Sequence, residues 1–198
     1  MVGPIGPPRS EIGINEIGGG NRWFVRARVC AVLLLLAALL AAPLIVSGQS
    51  NALELAPRLA RYEDVIGFQK GAQPIAYWAP DAEGWRYLRR AIAGRSDAKA
   101  FVWCQGELDA QQGTPNYKTK LSDLVARVRA ITRADLPVRL CELGPGASTL
   151  NSELRAYVAS DPLAAIVATG DLPFQKDGIH PTDVGYDLLA QRIRRSLP

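Results

Sequence analysis

An α/β fold, a three-layer sandwich around a mainly parallel central sheet, is predicted by three features of this chain. From Pro43 to the C-terminus, short apolar runs alternate with longer stretches of helical periodicity, the order that crossover connections impose on a parallel sheet. The apolar share, 48% of 198 residues, is enough for a single core. Polar residues with chemical potential follow the ends of apolar runs, where open parallel sheets gather their ligands.

The elements follow in order. Residues 1–28 form a basic tail. Met1 to Asn21 is rich in Gly and Pro, lacks a hydrophobic period and includes Gly18-Gly19-Gly20, the composition of a flexible segment. Arg22, Arg26 and Arg28 then precede an apolar run from Val29 to Val46. A bilayer-spanning helix needs about 20 such residues. Pro43-Leu44-Ile45-Val46-Ser47-Gly48, however, reads as a buried strand ending in a tight turn, and one residue cannot serve both a membrane helix and a soluble sheet. An apolar helix over 29–42 remains, a signal peptide or membrane anchor, and residues 43–198 form the globular domain. The chain is therefore expected to be exported, either secreted or held at the membrane through residues 29–42.

Asn51 to Asp81 is read as irregular. Trp85, Leu88 and Ile92 mark one face of a helix that stops at Gly94. Ala98 to Trp103 is the next strand. Leu121, Leu124, Val125, Val128 and Ile131 make the stripe of a helix packed on a sheet, and Pro137 to Leu143 is a further strand. Ser148 is placed as the cap of a helix through Val158, and Ala164 to Ala168 as the last strand. Thr182 caps a C-terminal helix in which Leu188, Leu189 and Ile193 face inward.

Composition narrows the chemistry. The formal charge of +4 is scattered rather than gathered into a basic run interleaved with aromatics, so nucleic acid is excluded as a partner. The chain has one histidine, His180, which excludes multi-histidine metal sites and makes this the sole imidazole for any acid–base step. Cys30, Cys104 and Cys141 have neither zinc-site spacing nor the density of a disulfide scaffold, and are read as buried, inert thiols.

Three blocks carry chemistry. Gly48-Gln49-Ser50-Asn51 ends the first strand and can expose a serine hydroxyl, although the same residues also make an ordinary turn. Asp177-Gly178-Ile179-His180 places a carboxylate and an imidazole on one loop. There Asp177 can hold Nδ1 of His180 and leave Nε2 to take a proton from Ser50. The bland alternative for that block is a capping Asp beside a surface His. Trp103-Cys104-Gln105-Gly106-Glu107 ends a middle strand, and the Gln105 amide is a candidate donor to an oxyanion.

Taken together, the blocks resemble those of the sialate O-acetylesterase-like carbohydrate esterases of the SGNH hydrolase superfamily. Gly48-Gln49-Ser50-Asn51 is similar to that family's first block, Trp103-Cys104-Gln105-Gly106-Glu107 to its Trp-His-Gln-Gly-Glu block, and Asp177-Gly178-Ile179-His180-Pro181 to its final block. Cys104 stands where the family carries histidine. The resemblance spans Pro43 to Pro198 and implies an SGNH, flavodoxin-like sandwich of small size. It also implies a nucleophile at Ser50, a base at His180 and an oxyanion hole from Ser50 and Gln105. Asp177 is taken as the acid partner of His180, with Glu107 the alternative. For the oxyanion glycine of the superfamily's second block, Gly67, Gly71 and Gly84 all stay open.

The function implied is a serine esterase that removes O-acetyl groups from a carbohydrate through an acyl-enzyme, with no metal or cofactor and an acetylated glycan or other small ester as substrate. Two alternatives remain: a hydrolase of lipid esters or thioesters near the membrane, and a catalytically dead glycan-binding module.

Overall fold

Among the described residues five short strands, all parallel, form one sheet in the order β2-β1-β3-β4-β5. They are β1 (Leu44–Gly48), β2 (Val65–Gln69), β3 (Ala100–Cys104), β4 (Val138–Cys141) and β5 (Ala164–Val167). The computed structural model describes residues 28–29 and 42–198, so the expected tail and nearly all of the expected apolar helix lie outside the described residues. Among the described residues no helix is long and apolar enough to cross a membrane.

Among residues 42–198 the strands are joined and flanked by six helices, α1 (Ser50–Leu59), α2 (Glu83–Ile92), α3 (Glu107–Gln112), α4 (Tyr117–Ile131), α5 (Ser148–Val158) and α6 (Asp183–Ser196), with a 3₁₀ turn at Ile75–Trp78. Because side chains alternate across a strand, the sheet feeds two cores. Ile45, Phe101, Trp103, Val138 and Leu140 meet α2, α4 and α5 on one face. Leu44, Val46, Ala100 and Val102 meet α1 and α6 on the other. These are the three layers the sequence pattern predicts. Trp78 packs edge-on against Trp103 at 5.1 Å in the first core, a geometry that aromatic quadrupoles favour.

Four departures have physical causes. The stretch read as irregular contains α1 and β2. Pro57 lies inside α1 and suggests a break, yet Ala52, Leu55 and Leu59 still bury one face. The edge strand β2 is half-buried along its length and contains Gly67 at φ +135°, so it shows neither alternation nor a continuous apolar run. A Cβ at Gly67 would lie 2.0 Å from the Val46 carbonyl oxygen, so the close approach of β1 dictates glycine there.

Ser148 is the first helical residue of α5 rather than its cap, a position taken by Ala147 without a side-chain hydrogen bond. Thr182 does cap α6, its Oγ1 accepting from the Gly185 N–H at 3.2 Å. Leu188 is 37% exposed, and the inward face of α6 is Tyr186, Leu189, Ala190 and Ile193. Finally, Cys104 and Cys141 are not free thiols. They end adjacent strands β3 and β4 with Cα atoms 5.0 Å apart and are joined in a disulfide.

Candidate active site

In this sheet the strand order reverses between β1 and β3, β2 being added on one side of β1 and β3 on the other, and the crevice outside their carboxyl ends is the expected ligand position. Gly48 closes β1 at φ +139°, and a Cβ there would sit 1.9 Å from the Cys104 carbonyl oxygen. Only glycine lets β1 turn so sharply against β3. The next residues are then locked in place. The Gln49 N–H donates to the Cys104 carbonyl at 2.9 Å, and Gln49 Oε1 accepts from the Gly106 N–H at 3.0 Å. Ser50 therefore opens α1 at the rim of the crevice.

His180 arrives from the other side, on the loop between β5 and α6. Its Nε2 lies 2.9 Å from Ser50 Oγ, and its Nδ1 lies 2.7 Å from Asp177 Oδ2. The second carboxylate oxygen of Asp177 accepts the backbone N–H groups of Ile179 at 2.9 Å and His180 at 3.0 Å. The hydrogen bond from the His180 ring, followed by these two backbone bonds, lowers the Asp177 pKa to about 2. Asp177 is thus an anion at any working pH and fixes the imidazole tautomer that leaves Nε2 open to the Ser50 hydroxyl. The three residues from two distant blocks form one relay.

Glu107 is placed differently from its alternative role. It makes no hydrogen bond to His180, and its Oε1 accepts from Asn51 Nδ2. At 7% exposure it is buried, and that burial raises its pKa. Asn51 is the hub of this cluster. Its Nδ2 also donates to the Ile179 carbonyl at 3.3 Å, and its Oδ1 accepts from the Tyr186 hydroxyl at 2.7 Å. One amide thereby ties the serine-bearing helix to the histidine loop and to α6. Neither Asn51 nor Tyr186 was singled out by sequence reasoning. The signal for Tyr186 was its place on the inward face of α6, since a buried tyrosine hydroxyl needs a partner. Asn51 offered no signal beyond its position beside the serine.

Gln105 does not face Ser50 as an oxyanion donor. Its side chain is fully buried and committed. Nε2 donates to the Gln73 carbonyl at 3.1 Å and to Asp109, while Oε1 accepts from the Tyr117 hydroxyl at 2.8 Å. Asp109 also receives the Ile75 N–H at 2.8 Å. Gln105 therefore pins the loop after β2 to the end of β3, and a side chain without a free donor cannot also serve an oxyanion.

Of the three glycines left open, Gly67 lies within β2 and Gly84 within α2. Gly71 lies in the turn after β2, and its place follows from its neighbours. Gly48 pairs with Gln69, Lys70 N–H donates to the Gly48 carbonyl at 3.0 Å, and a Cβ at Gly71 would lie 3.8 Å from Leu53 Cδ1, so this turn runs beside the serine-bearing helix. Among the described residues no cluster of His, Cys, Asp or Glu has the arrangement of a metal site.

Comparison with known proteins agrees with this architecture. Residues 60–197 match the family model described as carbohydrate esterase, sialic acid-specific acetylesterase. A protein of Arabidopsis thaliana is similar at 18% identity and TM-score 0.57 over 74% of this chain, which spans 65% of that protein. A Slackia heliotrinireducens protein assigned to the SGNH hydrolases is similar at 14% identity and TM-score 0.63, over 79% of this chain and 98% of that one. The family 3 carbohydrate esterase of Clostridium thermocellum is similar at 13% identity and TM-score 0.58, over 78% and 94%. No curated protein matches by sequence.

Proposed function

Since the chain belongs to the sialic acid-specific acetylesterase family of carbohydrate esterases, we propose that it removes O-acetyl groups from a carbohydrate by a serine acyl-enzyme mechanism. The observation that carries this reading is the continuous relay from Ser50 Oγ through His180 to Asp177, built on the only imidazole in the chain.

The steps follow from the geometry. Ser50 Oγ attacks the acetyl carbonyl carbon while its proton passes to His180 Nε2. The imidazolium that results is balanced by the Asp177 carboxylate. Negative charge on the former carbonyl oxygen needs N–H donors, and α1 supplies one at its first residue. The earliest intrahelical bond of α1 runs from Leu53 N–H to the Gln49 carbonyl, which leaves the Ser50 N–H free of the helix ladder. The Gly71 N–H is the proposed second donor, on the strength of its place in the turn after β2, beside the serine-bearing helix. The tetrahedral adduct collapses as His180 returns its proton to the sugar oxygen, and the alcohol departs. Water then attacks the acetyl-serine with His180 again as base, so acetate leaves and Ser50 regains its proton.

The test is to react the protein with a fluorophosphonate, map the label by mass spectrometry, and measure acetate release from O-acetylated sugars. Labelling at Ser50 together with acetate release is expected. A protein that neither labels nor releases acetate would have lost the reading to the glycan-binding alternative.

We also propose that the domain works outside the cytoplasm. The Cys104–Cys141 disulfide supports this, because such bonds persist in oxidising compartments. Alkylation of the denatured native protein without reductant should leave both cysteines unmodified. Modification of both would argue for a reducing compartment.

A further inference from the structure

The end of the sheet opposite the crevice is where the chain enters the domain. Pro43 leads into β1, its carbonyl accepts the Lys99 N–H at 2.9 Å, and the Leu44 N–H donates to the Asp64 carbonyl at 2.7 Å. The turns before β2 and β3 therefore flank the entry point. Helices that connect parallel strands run back against them, so the carboxyl ends of α1, α2 and α6 reach the same end. Arg194 of α6 accordingly lies 4.2 Å over the ring of Tyr62, in the turn after α1, and 3.7 Å from Glu63.

This end is basic. The acidic groups nearest Pro43 are engaged: Glu63 accepts from Lys99 at 2.7 Å, and Asp97 and Asp64 lie 3.0 and 3.8 Å from Arg95. Arg89 and Arg90 in the last turn of α2 and Arg195 in the last turn of α6 are exposed and have no ion pair among the described residues. Tyr62 is 57% exposed beside them. Helix dipoles favour cations at these ends, but they do not call for an aromatic ring left in solvent among them. Resting on the membrane-anchor reading of residues 29–42, we propose that this end of the domain lies on an anionic phospholipid surface and that the crevice faces away from it.

Charge and chain path both select lipid. Guanidinium groups pair with phosphate through two parallel hydrogen bonds, and tyrosine sits with its ring and hydroxyl at headgroup level. The apolar run of the sequence reaches Ala42, which is 5% exposed within the domain, and Pro43 is buried, so no linker separates that run from the basic end. With the run held in a bilayer, the turns beside Pro43 come to the lipid surface. Arg22, Arg26 and Arg28 precede the run, and the bias of such residues toward the cytoplasmic side leaves the domain on the outer side, the compartment proposed above. The five residues of β1 span about 16 Å at ~3.3 Å each, which sets Ser50 beyond the ~8 Å screening length of the lipid charge. A soluble substrate then approaches the crevice from the aqueous side.

The test follows hydrogen exchange of the full chain in nanodiscs of phosphatidylcholine with and without phosphatidylglycerol. One basic residue near an anionic surface strengthens attachment about fivefold. Amides of residues 60–64 and 93–99 are therefore expected to exchange at least about fivefold more slowly when phosphatidylglycerol is present. The triple variant Arg89→Glu, Arg90→Glu, Arg195→Glu should lose that difference, and its exchange in phosphatidylcholine alone, matching wild type, reports an intact fold. Raised salt should remove the difference from wild type as well, since it screens the same charges. Equal wild-type rates in the two discs would overturn the assignment, as would a difference that survives both the triple variant and salt. Slowing at residues 70–73 and 144–146 instead would put the crevice on the lipid and overturn it too, as would a full chain that enters neither disc. Acetate release and fluorophosphonate labelling do not enter this readout, so its failure is distinct from failure of the esterase reading.

Discussion

Asp177→Asn preserves the shape of the histidine loop while removing the charge that the proposed mechanism requires. The asparagine oxygen can still accept the Ile179 and His180 backbone N–H groups at about their present 2.9 and 3.0 Å. Its amide nitrogen, however, would face Nδ1 and turn the imidazole proton to Nε2, toward the Ser50 hydroxyl it should receive from. A hydrogen bond to an ionised group contributes about 1.5–3 kcal/mol net, or about 10- to 150-fold in rate. Loss of the correct tautomer adds to this, and the same change in a serine protease triad costs about 10⁴-fold. The Asp177 side chain is 42% exposed, so water can partly solvate the imidazolium in its place. The expected fall in kcat is therefore about 10²- to 10³-fold, measured by acetate release at saturating substrate. Glu107→Gln is the control, since a glutamine oxygen can still accept from Asn51, and its kcat should stay within about tenfold of wild type by the worth of one hydrogen bond. If Asp177→Asn keeps most of the activity and Glu107→Gln loses it, Glu107 is the acid that supports His180.

Three further outcomes are expected. Ser50→Ala should abolish acetate release and fluorophosphonate labelling without lowering the unfolding midpoint, because the side chain sits at the crevice rim and adds little to either core. Gln105→Ala should lower stability by about 2–3 kcal/mol, as its loss strands Asp109, Tyr117 and the Gln73 carbonyl; a large fall in kcat with unchanged stability would restore it to the oxyanion hole. Glu107, whose folded pKa is raised by burial, holds its proton more tightly folded than unfolded. Its contribution is therefore fully present below the ordinary glutamate value of about 4.3 and declines as pH rises toward the folded value. Denaturant melts from pH 4 to 8 should show wild type losing stability relative to Glu107→Gln, and parallel curves would mean that burial exerts no such effect. Asp177 has the opposite sign, its small contribution being present above the ordinary aspartate value and lost as pH falls toward about 2.

The parts of the fold that were legible are those in which one residue class dominates a period. Ile45 and Val46 in β1 and Phe101 and Val102 in β3 are buried from both faces, and such strands read as continuous apolar runs. In α4, Leu121, Leu124, Val125 and Val128 bury one face, as their spacing requires. What was hidden is local structure decided by neighbours. The run Val65-Ile66-Gly67-Phe68 is short and interrupted by glycine, and it becomes a strand because β1 offers an unpaired edge to it. The Cys104–Cys141 bond was equally invisible, since a separation of 37 residues becomes a 5.0 Å neighbour relation only when β3 and β4 lie side by side.

The motifs were legible in another sense: their residues converge, but not all in the roles their chemistry suggests. Of the block Trp103-Cys104-Gln105-Gly106-Glu107, the buried members serve packing, a disulfide and hydrogen bonds that hold loops together. This follows from exposure. A group that works on substrate must keep an unsatisfied valence facing the crevice, whereas a buried polar group must spend its valences on protein. Asp177 and His180 sit on a partly exposed loop whose residues 177–180 belong to neither hydrophobic core, the kind of segment that opens at low free-energy cost. Asn51 offsets that weakness from below: its amide grips the Ile179 carbonyl one residue before His180, and Glu107 and Tyr186 fix which way the amide faces. The 2.9 Å approach of His180 to Ser50 thus rests on a buried carboxyl and a tyrosine that hydrogen-bond to neither residue.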